Sequence, residues 1–241
     1  MKTSIVIPTY NESENIEELL KRIQEVLSDR NFEILVVDDN SPDDTAGIVE
    51  EMSEEFENIR LMVREGKKGL GSAYKEGFTE VDGDILIHMD ADFSHPVEHL
   101  VDMIDNIGDA DVVVGSRDVE GGKRKDGIHR QIPALIGSFL YRKVLGSPVN
   151  DITSGFKAYK SELKPFLTSE DLPSGYSYQP SSLMKIVWSG YEVKEIPIDF
   201  RPRKAGEPKF SFLDILDNVK VLIKLVWERY FGGGGNKTGS S

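Results

Sequence analysis

The chain has 241 residues, 39% hydrophobic and 29% charged, which allows one sizeable α/β domain with a large core, or at most two small ones. Its formal net charge of -13 argues against a nucleic-acid partner, because neutralising phosphates takes a basic surface, and it gains little from attraction to anionic lipid. There is no cysteine, hence no disulfide framework and no thiolate metal site, as in a chain of the reducing cytoplasm.

The start, Met1-Lys2-Thr3, runs straight into an apolar segment without the layout of a signal peptide, and no window reaches the ~20 apolar residues that span a bilayer. Residues 3–8 predict a buried strand, and 13–28 an amphipathic helix with Ile16, Leu19, Leu20, Ile23 and Leu27 on one face and Ser13 at a capped start. Residues 32–37 predict a second strand ending at Asp38-Asp39, 42–56 a helix, and 59–63 a third strand. A helix with a Gly-rich start follows over 69–81, then a fourth strand over 85–89, a helix over 96–107 and a fifth strand over 112–114. Continuous apolar strands alternating with helices predict a mostly parallel sheet covered on both faces.

The second half is less regular. Residues 120–130 form a basic, Gly-rich loop, 131–145 and 178–189 predict helices, and 154–159 and 193–200 predict strands. Residues 212–231 predict an amphipathic helix with Ile215, Leu216, Val219, Leu222, Leu225 and Val226, ending in Trp227, Tyr230 and Phe231. That helix suits a membrane interface, packing on the core, or docking on a membrane subunit. The Gly/Ser-rich residues 232–241 have no means of packing and predict a flexible tail or linker.

Three polar segments fall at the carboxyl ends of predicted parallel strands, where ligands bind in such sheets: Pro8-Thr9-Tyr10-Asn11-Glu12, Asp38-Asp39-Asn40-Ser41 and Asp90-Ala91-Asp92. Two carboxylates one residue apart after a buried strand suit a hard divalent cation, which takes oxygen ligands and shares them with a nucleotide's phosphates. Taken alone, an Asp-x-Asp is weak evidence, since it is more often a solvated turn. Glu12 suits either a binding role, as an acceptor-only carboxylate, or a helix start, where negative charge is favoured. Asp38 suits a cap for the helix near Pro42 or a binding role. Lys68-Gly69-Leu70-Gly71 suits close approach of the backbone to a ligand or a plain helix start. Lys123, Arg124 and Lys125 read as a solvated charge run or as phosphate contacts.

Ile5-Val6-Ile7-Pro8-Thr9-Tyr10-Asn11-Glu12 and Val36-Val37-Asp38-Asp39-Asn40-Ser41-Pro42-Asp43 resemble the opening of family 2 GT-A glycosyltransferases. Asp90-Ala91-Asp92-Phe93-Ser94-His95-Pro96, Gly115-Ser116-Arg117, Gly121-Gly122, Asp151-Ile152-Thr153-Ser154-Gly155-Phe156 and Arg203-Lys204-Ala205-Gly206-Glu207 resemble, in order, the dolichol-phosphate mannose synthases. The resemblance implies an α/β GT-A (Rossmann-like) fold, with a mixed, mostly parallel sheet flanked by helices, as a single domain over 1–231. It implies inverting, metal-dependent transfer of mannose from GDP-mannose to dolichyl or another polyprenyl phosphate, with Mg²⁺ or Mn²⁺ as cofactor. It places Asp92, Arg117, Arg130 and Arg203 among the catalytic residues and Pro8, Tyr10, Glu12, Val37, Asp39, Asp90, Ala91 and Lys209 around the nucleotide sugar. Asp90 and Asp92 would hold the metal, with Ser94 where some relatives carry a third ligand, a Gln; His95 reads as a structural or supporting group.

The implied partners are the nucleotide-sugar donor, the polyprenyl-phosphate acceptor and a membrane surface or membrane subunit, with a cytoplasmic location, peripheral at the cytoplasmic face of the membrane. The chain departs from the family at Pro208, where a Ser is expected before Lys209, and at Ser181, where a Glu is expected two residues after Gln179. Two other readings stay open: a family 2 transferase that uses UDP-glucose or UDP-GlcNAc on a lipid phosphate or sugar, and a nucleotide-binding protein without catalysis.

Overall fold

The computed structural model describes residues 1–125, 128–206 and 212–231, with the side chains of 128–134, 212 and 213 outside the description. The first half alternates as the hydrophobic pattern predicts: β1 (Thr3–Thr9), α1 (Ile16–Val26), β2 (Phe32–Asp38), α2 (Thr45–Glu55), β3 (Ile59–Val63), α3 (Leu70–Thr79), β4 (Ile85–His88), α4 (His99–Asn106) and β5 (Val112–Ser116). Then come β6 (Lys123–Arg124), α5 (Ile128–Leu145), β7 (Lys157–Lys160), α6 (Lys164–Leu167), α7 (Tyr178–Trp188), β8 (Val193–Pro197), β9 (Asp199–Phe200) and α8 (Phe212–Tyr230).

Seven strands form one sheet in the order β3-β2-β1-β4-β7-β5-β8, and β6 and β9 form a small second sheet. All pairs in the large sheet are parallel except those of β7, which runs antiparallel between β4 and β5. The chain steps outward from β1 to β2 and β3, then returns to add β4 on the other side of β1. That reversal is the topological switch point where open α/β sheets bind ligands. The ends of β1 and β4 flank it.

Strand side chains alternate between the two faces, and both faces are covered. Ile5, Ile7, Ile34, Val36, Ile85 and Ile87 pack with residues of α1 and α4; Val6, Leu35, Val37 and Leu86 pack on the other face with α3 and α7.

Several boundaries differ from the periodicity. Helix α1 starts at Ile16 rather than Ser13: residues 13–15 form a turn closed by Glu12 O, which accepts from the amides of Asn15 and Ile16, and the helical bonds begin with Leu19 N to Asn15 O. Asp38 does not cap α2: its carboxylate takes Ser41 N, Ser41 Oγ and Thr9 Oγ1, while Asp43 takes Thr45 N and Oγ1 at the start of that helix. The predicted strand 193–200 divides into β8 and β9, in separate sheets. Pro197, the last residue of β8, lacks the N–H a continuing ladder needs.

Helix α8 carries two apolar stripes. Leu225 is buried, with Val221, Leu222 and Val226 packed beside it, while Leu216, Val219, Ile223, Trp227 and Tyr230 recur at helical spacing on the exposed side. Leu135, Ile136 and Phe139 of α5 are also exposed, and Tyr230 ties the two helices by donating to Val144 O at 2.7 Å. No helix among the described residues is long and apolar enough to cross a membrane.

Candidate active site

The loops after β1, β2 and β4 meet at the carboxyl edge of the sheet. Among the described residues, the four non-glycine residues with left-handed backbone all lie in these loops: Asn11 (φ 55°), Asn40 (φ 57°), Asp44 (φ 66°) and Phe93 (φ 61°). Such conformations are costly, most of all for a bulky residue like Phe93, and cluster at functional sites. The first two loops are stitched together: Asn11 N donates to Ser41 Oγ and Glu12 N to Thr45 Oγ1, each at 3.0 Å.

Glu12 is buried, and its Oε2 accepts from Asn15 Nδ2 at 2.8 Å, which diverts the residue at the helix cap to the site. Tyr10 carries the Lys67 ammonium 4.7 Å from its ring centroid. Pro8 pairs with Val37 in the β1–β2 register. The side chain of Val37, expected beside the nucleotide, is wholly in the core beneath α3, so a part in binding would fall to its backbone. Ala91 is likewise packed in the core.

Asp39 is buried and paired with Arg64, whose Nε donates to Oδ1 at 2.6 Å. Burial outweighs the guanidinium and leaves the Asp39 carboxyl above its usual range. Arg64 also donates to Ser72 Oγ and Glu76 Oε1, so one buried cation joins β2, β3 and α3. The sequence reading passed over Arg64; its signal was a charged residue directly after the third predicted strand, at the same edge as the three acidic segments. The Gly-rich start of α3 serves close packing: a Cβ on Gly69, at φ 98°, would stand 2.4 Å from Ser174 O.

Asp92 is buried, and its Oδ1 accepts from Ser94 N at 3.0 Å and from Ser94 Oγ at 2.5 Å. Ser94, expected as a third metal ligand, therefore stands behind Asp92 and orients it. Arg203 Nη2 lies 3.0 Å from Asp92 Oδ2, and Arg203 Nη1 lies 3.2 Å from Glu12 Oε1. Burial raises the pKa of Asp92, but Arg203 and Ser94 outweigh it and hold the carboxyl below its usual range.

Asp90 keeps 37% of its side-chain surface exposed and accepts from Tyr74 OH at 3.2 Å. Loss of water raises its pKa and the neighbouring Asp92 adds to this, against His95 and Arg203. His95 is a supporting group. It stacks on Phe156, its Nδ1 accepts from Asp90 N at 3.1 Å, and burial lowers its pKa.

Among the described residues no three His, Asp or Glu side chains converge on one point. The donor set is two neighbouring carboxylates, one of them partly exposed. That chemistry fits a hard cation which completes its shell with phosphate oxygens and water.

Arg117, at the end of β5, is fixed in place. Its backbone N and Nε donate to Asp151 Oδ2 at 3.0 and 2.6 Å, its Nη2 donates to Asp151 Oδ1 at 2.7 Å, and its guanidinium lies over Phe200. Arg124 is no solvated charge either: its side chain is 8% exposed and makes a two-point contact with Asp118. Lys125 is half exposed and pairs with Asp199.

The segment 203–205 is strapped across the acidic loops. Lys204 N donates to Asp92 O, Asn15 Nδ2 reaches Ala205 O, and the Lys204 ammonium pairs with Glu18 and lies over Phe93. Arg203 Nε is buried without a partner among the described residues, a polar atom left for something else to satisfy. The side chain of Arg130, near the start of α5, lies outside the described residues, as do Pro208, Lys209 and the predicted tail 232–241. Ser181 is buried in α7 and donates to Ser177 O.

The profile of glycosyl transferase family 2 matches residues 4–164. Over 233 residues the chain is 36% identical to a dolichol-phosphate mannosyltransferase of Pyrococcus furiosus, covering 95% of this chain and 65% of that protein. It is 35% identical to an undecaprenyl-phosphate mannosyltransferase of Micrococcus luteus, covering 88% of each. Among solved structures, glucosyl-3-phosphoglycerate synthase of Mycobacterium tuberculosis with Mn²⁺, UDP and glucosyl-3-phosphoglycerate superposes with a TM-score of 0.69 at 21% identity, over 98% of this chain and 81% of that one. The same enzyme with Mg²⁺ and UDP gives 0.68 at 20% identity, over 98% and 81%. At that identity the likeness shows the fold, a GT-A sheet.

Proposed function

The chain belongs to glycosyl transferase family 2, and from that premise we propose that it transfers mannose from GDP-mannose to a polyprenyl phosphate, with inversion at the sugar carbon and in dependence on Mg²⁺ or Mn²⁺. The observation that carries the reading is one loop, residues 151–155, that joins the two halves of the site. Its Asp151 grips Arg117, and its Gly155 lies against Asp90, where a Cβ would stand 3.4 Å from Oδ2. A carboxylate pair suited to a metal and a nucleoside diphosphate is thus set beside a fixed guanidinium suited to a phosphate.

On the donor side, Pro8, Tyr10, Glu12, Asp39, Lys209 and the backbones of Val37 and Ala91 surround the nucleotide sugar, with Arg64 orienting Asp39. Asp90 and Asp92 hold the cation, which when bound neutralises the charge that builds on the departing diphosphate. On the acceptor side, Arg117 and Arg130 bind the lipid phosphate through planar, permanently charged forks, while Arg203, set between Glu12 and Asp92, closes over the donor. An acceptor phosphate oxygen bonds to the anomeric carbon as the bond to the diphosphate breaks. The acceptor enters already ionised, so the step needs positioning and electrostatics rather than a general base. Arg203 must leave Asp92 as the donor and cation enter, and its Nε, unpartnered among the described residues, is then free to meet the donor's diphosphate.

The exposed stripe of α8, with Leu135, Ile136 and Phe139 of α5, lies along the cytoplasmic face of the membrane that holds the acceptor, with Trp227 and Tyr230 at the headgroups. A membrane subunit is the other surface such a stripe fits.

The test is transfer of radiolabel from GDP-mannose, UDP-glucose or UDP-GlcNAc into organic-soluble polyprenyl phosphate, with Mn²⁺ or with chelator, for the wild type and Asp92→Ala. Metal-dependent label from GDP-mannose alone, lost in the variant, is the expected result. Label from a UDP-sugar would replace the donor but keep the acceptor. Nucleotide binding without label from any donor would leave a non-catalytic protein.

A further inference from the structure

Lys157 is the only lysine among the buried described residues, and it is fully enclosed. It opens β7, which places it opposite His88 of β4 on one side and Val114 of β5 on the other. Its ammonium donates to Ile152 O at 3.2 Å, to Gln179 O at 3.3 Å and to Gln179 Oε1 at 3.1 Å. An ammonium has three N–H donors and no acceptor, so this site of three oxygens matches the charged form. Burial pulls the pKa down to about 7, with Arg117 adding to the effect and Asp151 opposing it. A cation this costly to bury is held there by specific partners.

The bond to Ile152 links this buried floor to the active site. Ile152 lies in the 151–155 loop, between Asp151, which holds Arg117 through three bonds, and Gly155, which rests against Asp90. Gly155 O is supported in turn by His88 Nδ1 at 3.0 Å. The Lys157 ammonium bonds to Ile152 and Gln179, residues assigned to neither donor nor acceptor, yet the loop it braces spans both.

We propose that Lys157 is a positioning residue: by bracing the 151–155 loop from beneath, it fixes the spacing between the donor-side carboxylate Asp90 and the acceptor-side guanidinium of Arg117. The proposal rests on the donor and acceptor roles given above. A loop that shifts by about 1 Å would leave each substrate bound but misaligned, and such a displacement costs roughly 100-fold in rate.

The test compares the wild type with Lys157→Met and with the double variant Lys157→Met/Gln179→Leu, in which the partner amide is also made apolar so that stability can recover. Four quantities are measured: stability in urea, hydrogen exchange of residues 151–156, binding of GDP with Mn²⁺ by calorimetry, and kcat for mannosyl transfer. The expected result is GDP binding within about twofold of wild type, faster loop exchange, and kcat lower by roughly 100-fold in both variants. A kcat that recovers together with stability in the double variant, or that stays within about threefold of wild type in either folded variant, overturns the proposal. If the wild type itself transfers no mannose, the functional reading fails on its own. Loop exchange then decides the bracing, and exchange unchanged from wild type overturns it.

Discussion

Asp151→Asn separates the two ends of the Arg117 clamp while keeping the side chain's shape. Asp151 is fully buried and accepts three bonds from Arg117, and Arg124 Nη2 stands 3.8 Å from its Oδ1. Burial alone would raise its pKa, but Arg117 and then Arg124 outweigh it and hold the carboxyl at about 2 against an ordinary 3.8. That difference corresponds to about 2 kcal/mol of stability from the ionised form.

The amide costs more than the lost charge, since its NH₂ meets N–H donors and the buried guanidinium loses its two carboxylate bonds. The expected loss is about 3–5 kcal/mol, the range for breaking a buried pair, read as a lower urea midpoint at unchanged slope near pH ~7. The sign with pH is set by the lowered pKa: the stabilisation is present above the unfolded value and is lost as pH falls through the folded one. The gap between wild type and Asp151→Asn should therefore narrow between about pH 5 and pH 2. A loss below about 1 kcal/mol, or a gap that stays constant across that window, would refute the reasoning.

Arg203 now occupies Asp92 Oδ2 and Glu12 Oε1. Its replacement in Arg203→Ala should tighten Mn²⁺ binding in the absence of nucleotide about fivefold, as removing a competing cation worth ~1 kcal/mol would. Paramagnetic resonance of free Mn²⁺ reads this, and weaker binding would show that Arg203 builds the site rather than guarding it. Gly155→Ala puts a Cβ 3.2 Å from His95 Cε1 and 3.4 Å from Asp90 Oδ2. It should lower Mn²⁺ affinity and kcat while the melting temperature moves by only about 2–4 °C, the equivalent of ~1 kcal/mol in a chain of this size. Unchanged Mn²⁺ affinity would mean that Gly155 does not set the position of Asp90.

Some of the site was legible because it lies in short segments. Asp90, Asp92, Glu12 and Asp39 follow buried strands directly, and their common edge follows from the alternation of strand and helix. The amphipathic pattern of 212–231 was legible too, but its division into a packed stripe and an exposed one was not, since both read as apolar. Val37 looked like a binding residue from its motif, whereas its place on the strand turns its side chain into the core. Lys157 gave no signal, because a lysine at the start of a strand ordinarily carries its charge out to water. Asp151 stood in a recognised motif without a role until Arg117 was seen to grip it.

By itself the sequence determined the strand–helix alternation, the edge at which ligands gather and the acidic residues placed there, because hydrophobic period and strand ends are local properties of the chain. Only the tertiary structure decided that β7 enters antiparallel between β4 and β5, that 193–200 splits between two sheets, and that Arg203 closes onto Asp92 and Glu12. The physical reason is that periodicity encodes how deeply a residue is buried and not which distant residue it meets. Strand pairing and buried ion pairs are chosen among segments far apart in the chain, by the packing and charge compensation that exist only once the sheet has formed.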